Sequence, residues 1–232
     1  MNDARSAADA QSLQAHLERL KALRGPDGRP PARLDELKTW QAQRLARTYA
    51  DIAHAPRYAA ATAFFLDDLY AAKDFSGRDQ AMLRILPVMS RMLPRTAVET
   101  AALAIELEAL SEDLDHRLAA ALDPGPIDAR SYGKAYRETS SRAEREHQVD
   151  LLDAVGHRLD ALVKKPLLAQ TLKLMRNPAR LAGMGDLQDF LERGFAAFRD
   201  MKGADDFLTQ VRLRETAILN RLFSAAADPF SV

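Results

Sequence analysis

Three carboxylates on predicted helices fall on or beside faces that also carry apolar side chains. Glu144 and Gln148 align with Val155 when successive residues are placed about 100° apart, and Glu215 lies on the apolar stripe of the last helix. Asp68 lies at the edge of another apolar face. An unpaired buried carboxylate destabilises a fold by several kcal/mol, so it must be hydrogen-bonded, ion-paired, protonated or bound to a metal. Each of these acids therefore predicts a partner.

Two kinds of partner are compatible with this pattern. In the first interpretation, each acid pairs with an arginine of a neighbouring helix, and the pairs are structural. In the second, the acids converge in one pocket that binds a divalent metal or a cationic small molecule, to which tyrosines donate hydrogen bonds. The candidate arginines are Arg78, Arg84, Arg145, Arg212 and Arg214. The candidate ligand-binding residues are Asp68, Glu144, Gln148, Glu215, Tyr58 and Tyr70.

Two acid-x-x-His pairs have the spacing that helical bundles use to bind two iron ions. They are Asp113 with His116 and Glu144 with His147. On the helical wheel, however, His116 points away from the leucines of its helix, which predicts that it faces solvent, and His147 lies on the flank of an apolar stripe. A di-iron site is therefore not expected. The sequence also lacks the nucleophile-elbow, phosphate-loop and dinucleotide-binding motifs, and it indicates no particular cofactor.

The overall composition excludes several classes of function. The 232 residues include 33 Lys plus Arg, 33 Asp plus Glu and no Cys. Thiol catalysis, disulfides and cysteine-ligated metals are therefore excluded, and the zero net charge argues against a nucleic-acid partner. No apolar run reaches the ~18 residues of a membrane span, and the N-terminal residues lack the pattern of a signal peptide. We expect a cytoplasmic protein without a membrane partner.

The elements that must position these residues are predicted to be helices throughout. Helix-forming residues dominate, and β-branched residues are too scattered for strands. The capping, proline and glycine signals predict a single compact all-α bundle of about nine helices. Residues 57–232 would form the main domain, and residues 1–56 a helical arm that packs on the bundle or extends from it. One long helix is expected over residues 131–164, and a helix end is expected at Asn177-Pro178.

Two further patterns concern how the helices pack. Residues 99–128 carry a net charge of −7 and residues 129–180 a net charge of +5, so adjacent antiparallel helices from these blocks would attract each other, or one block would form an exposed patch for a partner. Gly194 lies within a predicted helix, where glycine is about 1 kcal/mol less favourable than alanine. We expect another helix to cross closely there.

Two segments carry a resemblance to a known family. Residues 58–70, which contain FFLDDLY, and residues 187–198, LQDFLERGFAAF, are similar to the corresponding segments of an uncharacterised bacterial all-helical family. The similar stretches span about residues 58–223. The resemblance implies a helical fold and no particular chemistry, because the family has no assigned activity.

Together these observations favour a protein that acts through protein contacts or self-association. The alternative is a small-molecule- or metal-binding helical protein, including an enzyme, that uses the buried carboxylates.

Overall fold

The computed structural model describes residues 11, 14–23, 31–66 and 95–231, and these residues form ten helices and no strand. The prediction of an all-α bundle is confirmed. Within the described residues no helix is both long and apolar enough to cross a membrane. The helices are α1 (residues 14–23), α2 (Leu34–Thr48), α3 (Ala50–Ala53), α4 (Ala59–Phe64), α5 (Arg95–Ala121), α6 (Ala129–Thr139), α7 (Arg142–Val163), α8 (Pro166–Leu181), α9 (Gly185–Asp200) and α10 (Asp205–Phe223).

Helices α5 and α7 form an antiparallel pair along the length of the bundle. Glu99 near the start of α5 pairs with Arg158 near the end of α7, at 3.1 Å, and Arg117 near the end of α5 pairs with Glu144 at the start of α7, at 2.7 Å. The acidic block of the sequence therefore meets the following basic block across a helix seam.

A corner at Ser140 and Ser141 separates α6 from α7. The prediction of one continuous helix over residues 131–164 is wrong, because both serines have extended backbone angles. The Ser141 hydroxyl accepts a hydrogen bond from the Glu144 N–H, and the Glu144 carboxylate accepts one from the Ser141 N–H. This capping box starts α7 as a new helix, and it is written in the sequence as Ser-x-x-Glu.

Helix α8 passes through Pro178 and ends at Leu181, so the predicted end at Asn177-Pro178 is also wrong. The chain leaves the helix at Gly183, whose φ of +73° is the left-handed conformation that glycine favours. The Met184 N–H donates to the Ala179 carbonyl at 2.8 Å across this turn. The terminating signal is therefore the glycine rather than the proline.

The apolar core has two main parts. Phe64, Phe198 and Phe207 belong to a cluster that joins α4, α9 and α10, and Tyr132 and Ile218 belong to a second cluster that joins α2, α5, α6 and α10. Helix α10 contributes to both clusters and so connects them.

The first cluster contains the close crossing expected at Gly194. A Cβ at that position would lie 2.7 Å from Cζ of Phe64, which is closer than real contacts allow. The prediction is confirmed, and the crossing element is α4.

The described N-terminal residues lie against the main helices. Leu17 and Leu20 of α1 are buried beside Ile105 and Ala109 of α5. The division of the chain at residue 56 stays a prediction.

Candidate functional site

Glu215 forms a partly buried ion pair between α10 and α2. Its Oε1 accepts hydrogen bonds from Nη1 of Arg44 at 2.9 Å and from the hydroxyl of Tyr49 at 2.7 Å, and its side chain is 17% exposed. The pairing interpretation therefore describes Glu215, although Arg44 was not among the candidate arginines. The Arg44 guanidinium also lies 5.6 Å from the ring centre of Phe230.

Glu144 lies at the corner between α6 and α7 and uses both of its oxygens. Oε2 accepts from the Ser141 N–H and hydroxyl, and Oε1 accepts from Nη2 of Arg117. The hydrogen bond from the Ser141 backbone, followed by the one from Arg117, lowers the pKa of Glu144 to about 2. Because Arg117 also donates to the Thr139 carbonyl, at 2.8 Å, it ties the last turn of α6 to the first turn of α7. Glu144 thus has a capping and corner-forming role.

Gln148 links α7 to α5 and supports a buried arginine. Its Nε2 donates to Oγ of Ser111 at 2.7 Å, and its Oε1 accepts from Nη1 of Arg145 at 3.1 Å. Arg145 is 4% exposed, donates through Nε to Oγ of Ser140, and stacks its guanidinium 4.1 Å from the ring centre of Tyr136. Its hydrogen bonds are thus made to neutral groups, while its charge acts on the nearby Asp115, where burial raises the pKa of the carboxyl and the charge of Arg145 partly lowers it.

A second group of polar side chains joins α2 to α5. Asp115 accepts a hydrogen bond from Nε2 of Gln41 at 2.8 Å, and burial raises the pKa of Asp115. Glu112 accepts from Nζ of Lys38 at 2.8 Å and lies 3.4 Å from Nε2 of His116. The prediction that His116 faces solvent is wrong, because α2 covers this side of α5 with polar side chains.

We refer to these buried and half-buried groups together as the polar cluster, formed by Lys38, Gln41, Arg44, Glu112, Asp115, Arg145, Gln148 and Glu215. The sequence pattern indicated Gln148 and Glu215 as candidate ligand-binding residues and Arg145 as a candidate partner, and it did not indicate the other members. A usable signal was the three-residue spacing of Lys38, Gln41 and Arg44, which places polar groups on the same side of α2 as Leu34 and Leu45.

The remaining candidate ligand-binding residues lie elsewhere. The ring of Tyr58 packs against Phe207, with 5.7 Å between ring centres, and the guanidinium of Arg57 lies over the face of the Tyr58 ring. Asp68 and Tyr70 lie outside the described residues. In the described structure no hydrogen bond or ion pair joins Glu144, Glu215 and Tyr58 to one another.

The candidate residues that the structure describes do not line its surface depressions. Two surface depressions, of about 330 and 540 Å³, lie beside the C-terminal residues 222–231, and none of the described candidates lines either of them. Across residues 14–23, 31–66 and 95–231 there is no group of three or more His, Asp or Glu side chains that could hold a metal ion.

Helix α8 presents the most unusual surface of the described structure. Leu167, Leu174 and Leu181 are 75%, 78% and 90% exposed. Their seven-residue spacing aligns them on one side of the helix, and we call this row the leucine stripe. Ala179, which is the buried residue of α8, lies on the opposite side.

Several polar contacts join helix α8 to α9. Arg176 donates through Nε to Glu192 at 3.0 Å, and Arg180 lies 3.4 Å from Asp189. Nε2 of Gln188 donates to the Leu172 carbonyl at 2.7 Å. These contacts fix the helix so that the leucine stripe points away from the protein.

Comparison with known proteins identifies the family of this chain. A family model described as a domain of unknown function, DUF8198, matches residues 24–229. No curated protein matches the chain, and no solved structure matches it. Since the family model covers nearly all of the chain, the protein belongs to the DUF8198 family.

Proposed function

We propose that this protein acts by binding a protein surface, and that the leucine stripe of α8 makes the contact. The observation that carries the proposal is the exposure of three leucines in a row on one helix. Single exposed apolar residues are common, whereas continuous apolar surfaces mark interaction sites. Burial of each leucine contributes about 1.5–3 kcal/mol, so a partner that covers the stripe gains a substantial driving force.

The state of the candidate acids supports a contact function over a carboxylate-lined ligand site. Glu144 and Glu215 each accept hydrogen bonds from an arginine and from a hydroxyl group of their own chain. Both carboxylates thus have hydrogen-bond donors within their own chain, as the first interpretation, of structural pairs with arginines, expects. A ligand site that includes Asp68 and Tyr70 stays a prediction.

The sequence supports the proposed class of partner and the proposed cellular location. The zero net charge supports a protein partner rather than a nucleic acid, and we place the protein in the bacterial cytoplasm. Within the described residues no helix is suited to cross a membrane.

Site-specific photo-crosslinking in expressing cells tests this function. A photoreactive phenylalanine derivative replaces Leu174 in one variant and Glu146, an exposed residue of α7, in a matched control. We expect a covalent protein adduct from position 174 that is lost when Leu167→Asp and Leu181→Asp are added to the same chain. Equal yields of adduct at the two positions, or none at position 174, would overturn the proposal.

A further inference from the structure

The larger of the two surface depressions is lined by charged and aromatic side chains. Its volume of about 540 Å³ lies within the range of small-molecule sites, roughly 300–1,000 Å³. Three segments border it: the second half of α2, the start of α6, and the residues that follow α10. We call it the Trp40 depression, and its charged and aromatic lining residues are Trp40, Arg44, Arg47, Asp128, Asp228 and Phe230.

Helix α2 forms one side of the Trp40 depression. Trp40, Arg44 and Arg47 follow one another at spacings of four and three residues, which places them along one face of the helix. At a rise of ~1.5 Å per residue, this row is about 10 Å long. An aromatic ring at one end of the row and a guanidinium group at the other therefore border the same space.

Two of the four charged lining groups are already engaged within the chain. Arg44 donates through Nη1 to Glu215 at 2.9 Å, and the Asp128 carboxylate caps the start of α6. The other two groups, Arg47 and Asp228, are exposed and make no hydrogen bond or ion pair within the described structure. A cation and an anion that are too far apart to pair with each other thus line the same depression.

The residues after Asp228 hold its backbone in place beside α2. Pro229 is buried, and the ring of Phe230 contacts Trp40 and Tyr132 edge-on, with 5.5 and 5.8 Å between ring centres. The position of Asp228 is therefore set before a ligand arrives, so little ordering of the chain opposes binding.

We infer that the Trp40 depression binds a small zwitterion with a large apolar side chain, of the size and chemistry of an aromatic amino acid. Arg47 binds its carboxylate, and Asp228 binds its ammonium group. An anion alone would meet the like charge of Asp228, and a cation alone would meet that of Arg47. The apolar group of the ligand packs on the half-buried ring of Trp40. This site goes beyond the proposed contact function and does not involve α8.

The exposure of the two charged groups determines the expected affinity. Ion pairs between exposed groups contribute little, because water and salt screen them. We therefore expect a dissociation constant of about 0.1–1 mM, to which each charge contributes a factor of roughly three to five.

Titration of the full chain with L-phenylalanine tests this inference. Trp40 is the single tryptophan of the chain, so its fluorescence reports directly on the depression. We expect a saturable change in this fluorescence and the same dissociation constant from calorimetry. Glycine, which lacks the aromatic group, should bind at least about tenfold more weakly. The lack of a saturable signal in both measurements up to roughly 10 mM phenylalanine would overturn the inference.

Paired changes in ligand and protein assign the two charges. Phenylpropionate lacks the ammonium group of phenylalanine, phenethylamine lacks its carboxylate, and both should bind the unaltered chain more weakly. Asp228→Asn should bind phenylalanine and phenylpropionate about equally, and Arg47→Gln should bind phenylalanine and phenethylamine about equally. Arg130→Gln is the matched control, since Arg130 is an exposed arginine of α6 that lines the other depression, and it should change none of the constants.

The pattern of these constants separates recognition of the ligand from a change in the fold. A variant at Arg47 or Asp228 that weakens all three ligands by the same factor would overturn the assigned contact. Equal binding of the three ligands to the unaltered chain would mean adventitious packing on an apolar surface and would overturn the zwitterion site. Circular dichroism verifies that the variants are folded. The photo-crosslinking at position 174 tests the contact function separately from all of these outcomes.

Discussion

The polar cluster and the leucine stripe differ in a way that reverses the usual distribution of side chains. In the polar cluster, charged groups such as Arg145 and Glu112 are almost fully buried between helices. In the leucine stripe, 22 to 36 residues further along the chain from Arg145, large apolar side chains are almost fully exposed. The buried charges have hydrogen-bond partners within the chain, whereas the leucines point away from it.

This difference shows that neighbouring elements decide what is buried. Lys38 and Gln41 are covered because α2 crosses α5, and each meets an acid there. Leu174 is exposed because α8 packs through its opposite side on α9. A buried polar side chain is tolerated when its partner is present in the same chain, and an exposed apolar row is retained where a partner is supplied from outside.

The largest expected effect comes from removing a carboxylate of the polar cluster. Glu215→Leu should lower the free energy of unfolding by about 3–5 kcal/mol, because it leaves the charge of Arg44 buried without a counterion. Urea denaturation measures the change. Glu146→Leu is the matched control at an exposed site of α7, where a substitution changes stability by about 0.5 kcal/mol or less.

A double variant distinguishes the cost of leaving Arg44 unpaired from the cost of losing the Glu215 side chain itself. Arg44→Met combined with Glu215→Leu should recover at least half of the lost stability, since replacing a whole buried pair by apolar groups is often neutral. A loss below about 1 kcal/mol for Glu215→Leu alone would show that the pair is well solvated, and the contrast with the leucine stripe would then disappear.

A second effect, of intermediate size, is a difference in pH dependence between two carboxylates. The pKa of Glu144 is lowered to about 2, so its contribution to stability is present above the ordinary value near 4.5 and is lost as pH falls from there toward 2. The pKa of Asp115 is raised by burial, so its contribution is present below the ordinary value near 3.8 and is lost as pH rises through the folded value.

The two corresponding amide variants should therefore change the acid limb of stability in opposite directions. Glu144→Gln should make the decrease in stability between pH 4.5 and 2 shallower, and Asp115→Asn should make it steeper. Chemical denaturation at a series of pH values measures both slopes. The same direction of change for both variants would contradict the assignment of Asp115 to a buried site and Glu144 to a capping site.

The smallest expected effect on the fold is at the leucine stripe. Leu174→Glu should change the free energy of unfolding of the monomer by no more than about 0.5 kcal/mol, because the side chain contacts solvent. Urea denaturation measures it. Thus Leu174→Glu at the surface would leave the free energy of unfolding almost unchanged, whereas Glu215→Leu between helices would lower it strongly. A loss above about 2 kcal/mol for Leu174→Glu would mean that the stripe packs against its own chain.

The sequence predicted the elements of this fold better than their boundaries. Periodicity and capping identified most of the described helices, and Gly194 predicted a close crossing that Phe64 makes. The break at Ser140 was missed because the apolar pattern continues through it, although the capping box at Ser141 was readable. Pro178 was overvalued, because an interior proline removes one backbone hydrogen bond and can kink a helix without ending it, and α8 continues to Leu181.

For the candidate site, the sequence predicted the need for partners and not their identities. Glu144 and Glu215 do pair with arginines, but with Arg117 and Arg44. A helical wheel ranks the faces of one helix, whereas the partner depends on the crossing of two helices. His116 shows the same limit, because its surroundings are set by α2, a separate element about 75 residues earlier in the chain.

The small number of buried residues in α8 also affects how the protein fluctuates. Ala179 is the one fully buried residue of this helix, whereas five residues of α7 are buried. We therefore expect the amide hydrogens of α8 to exchange with solvent before those of α7. Binding at the leucine stripe would slow that exchange, so the contact would be detectable as local ordering of the helix.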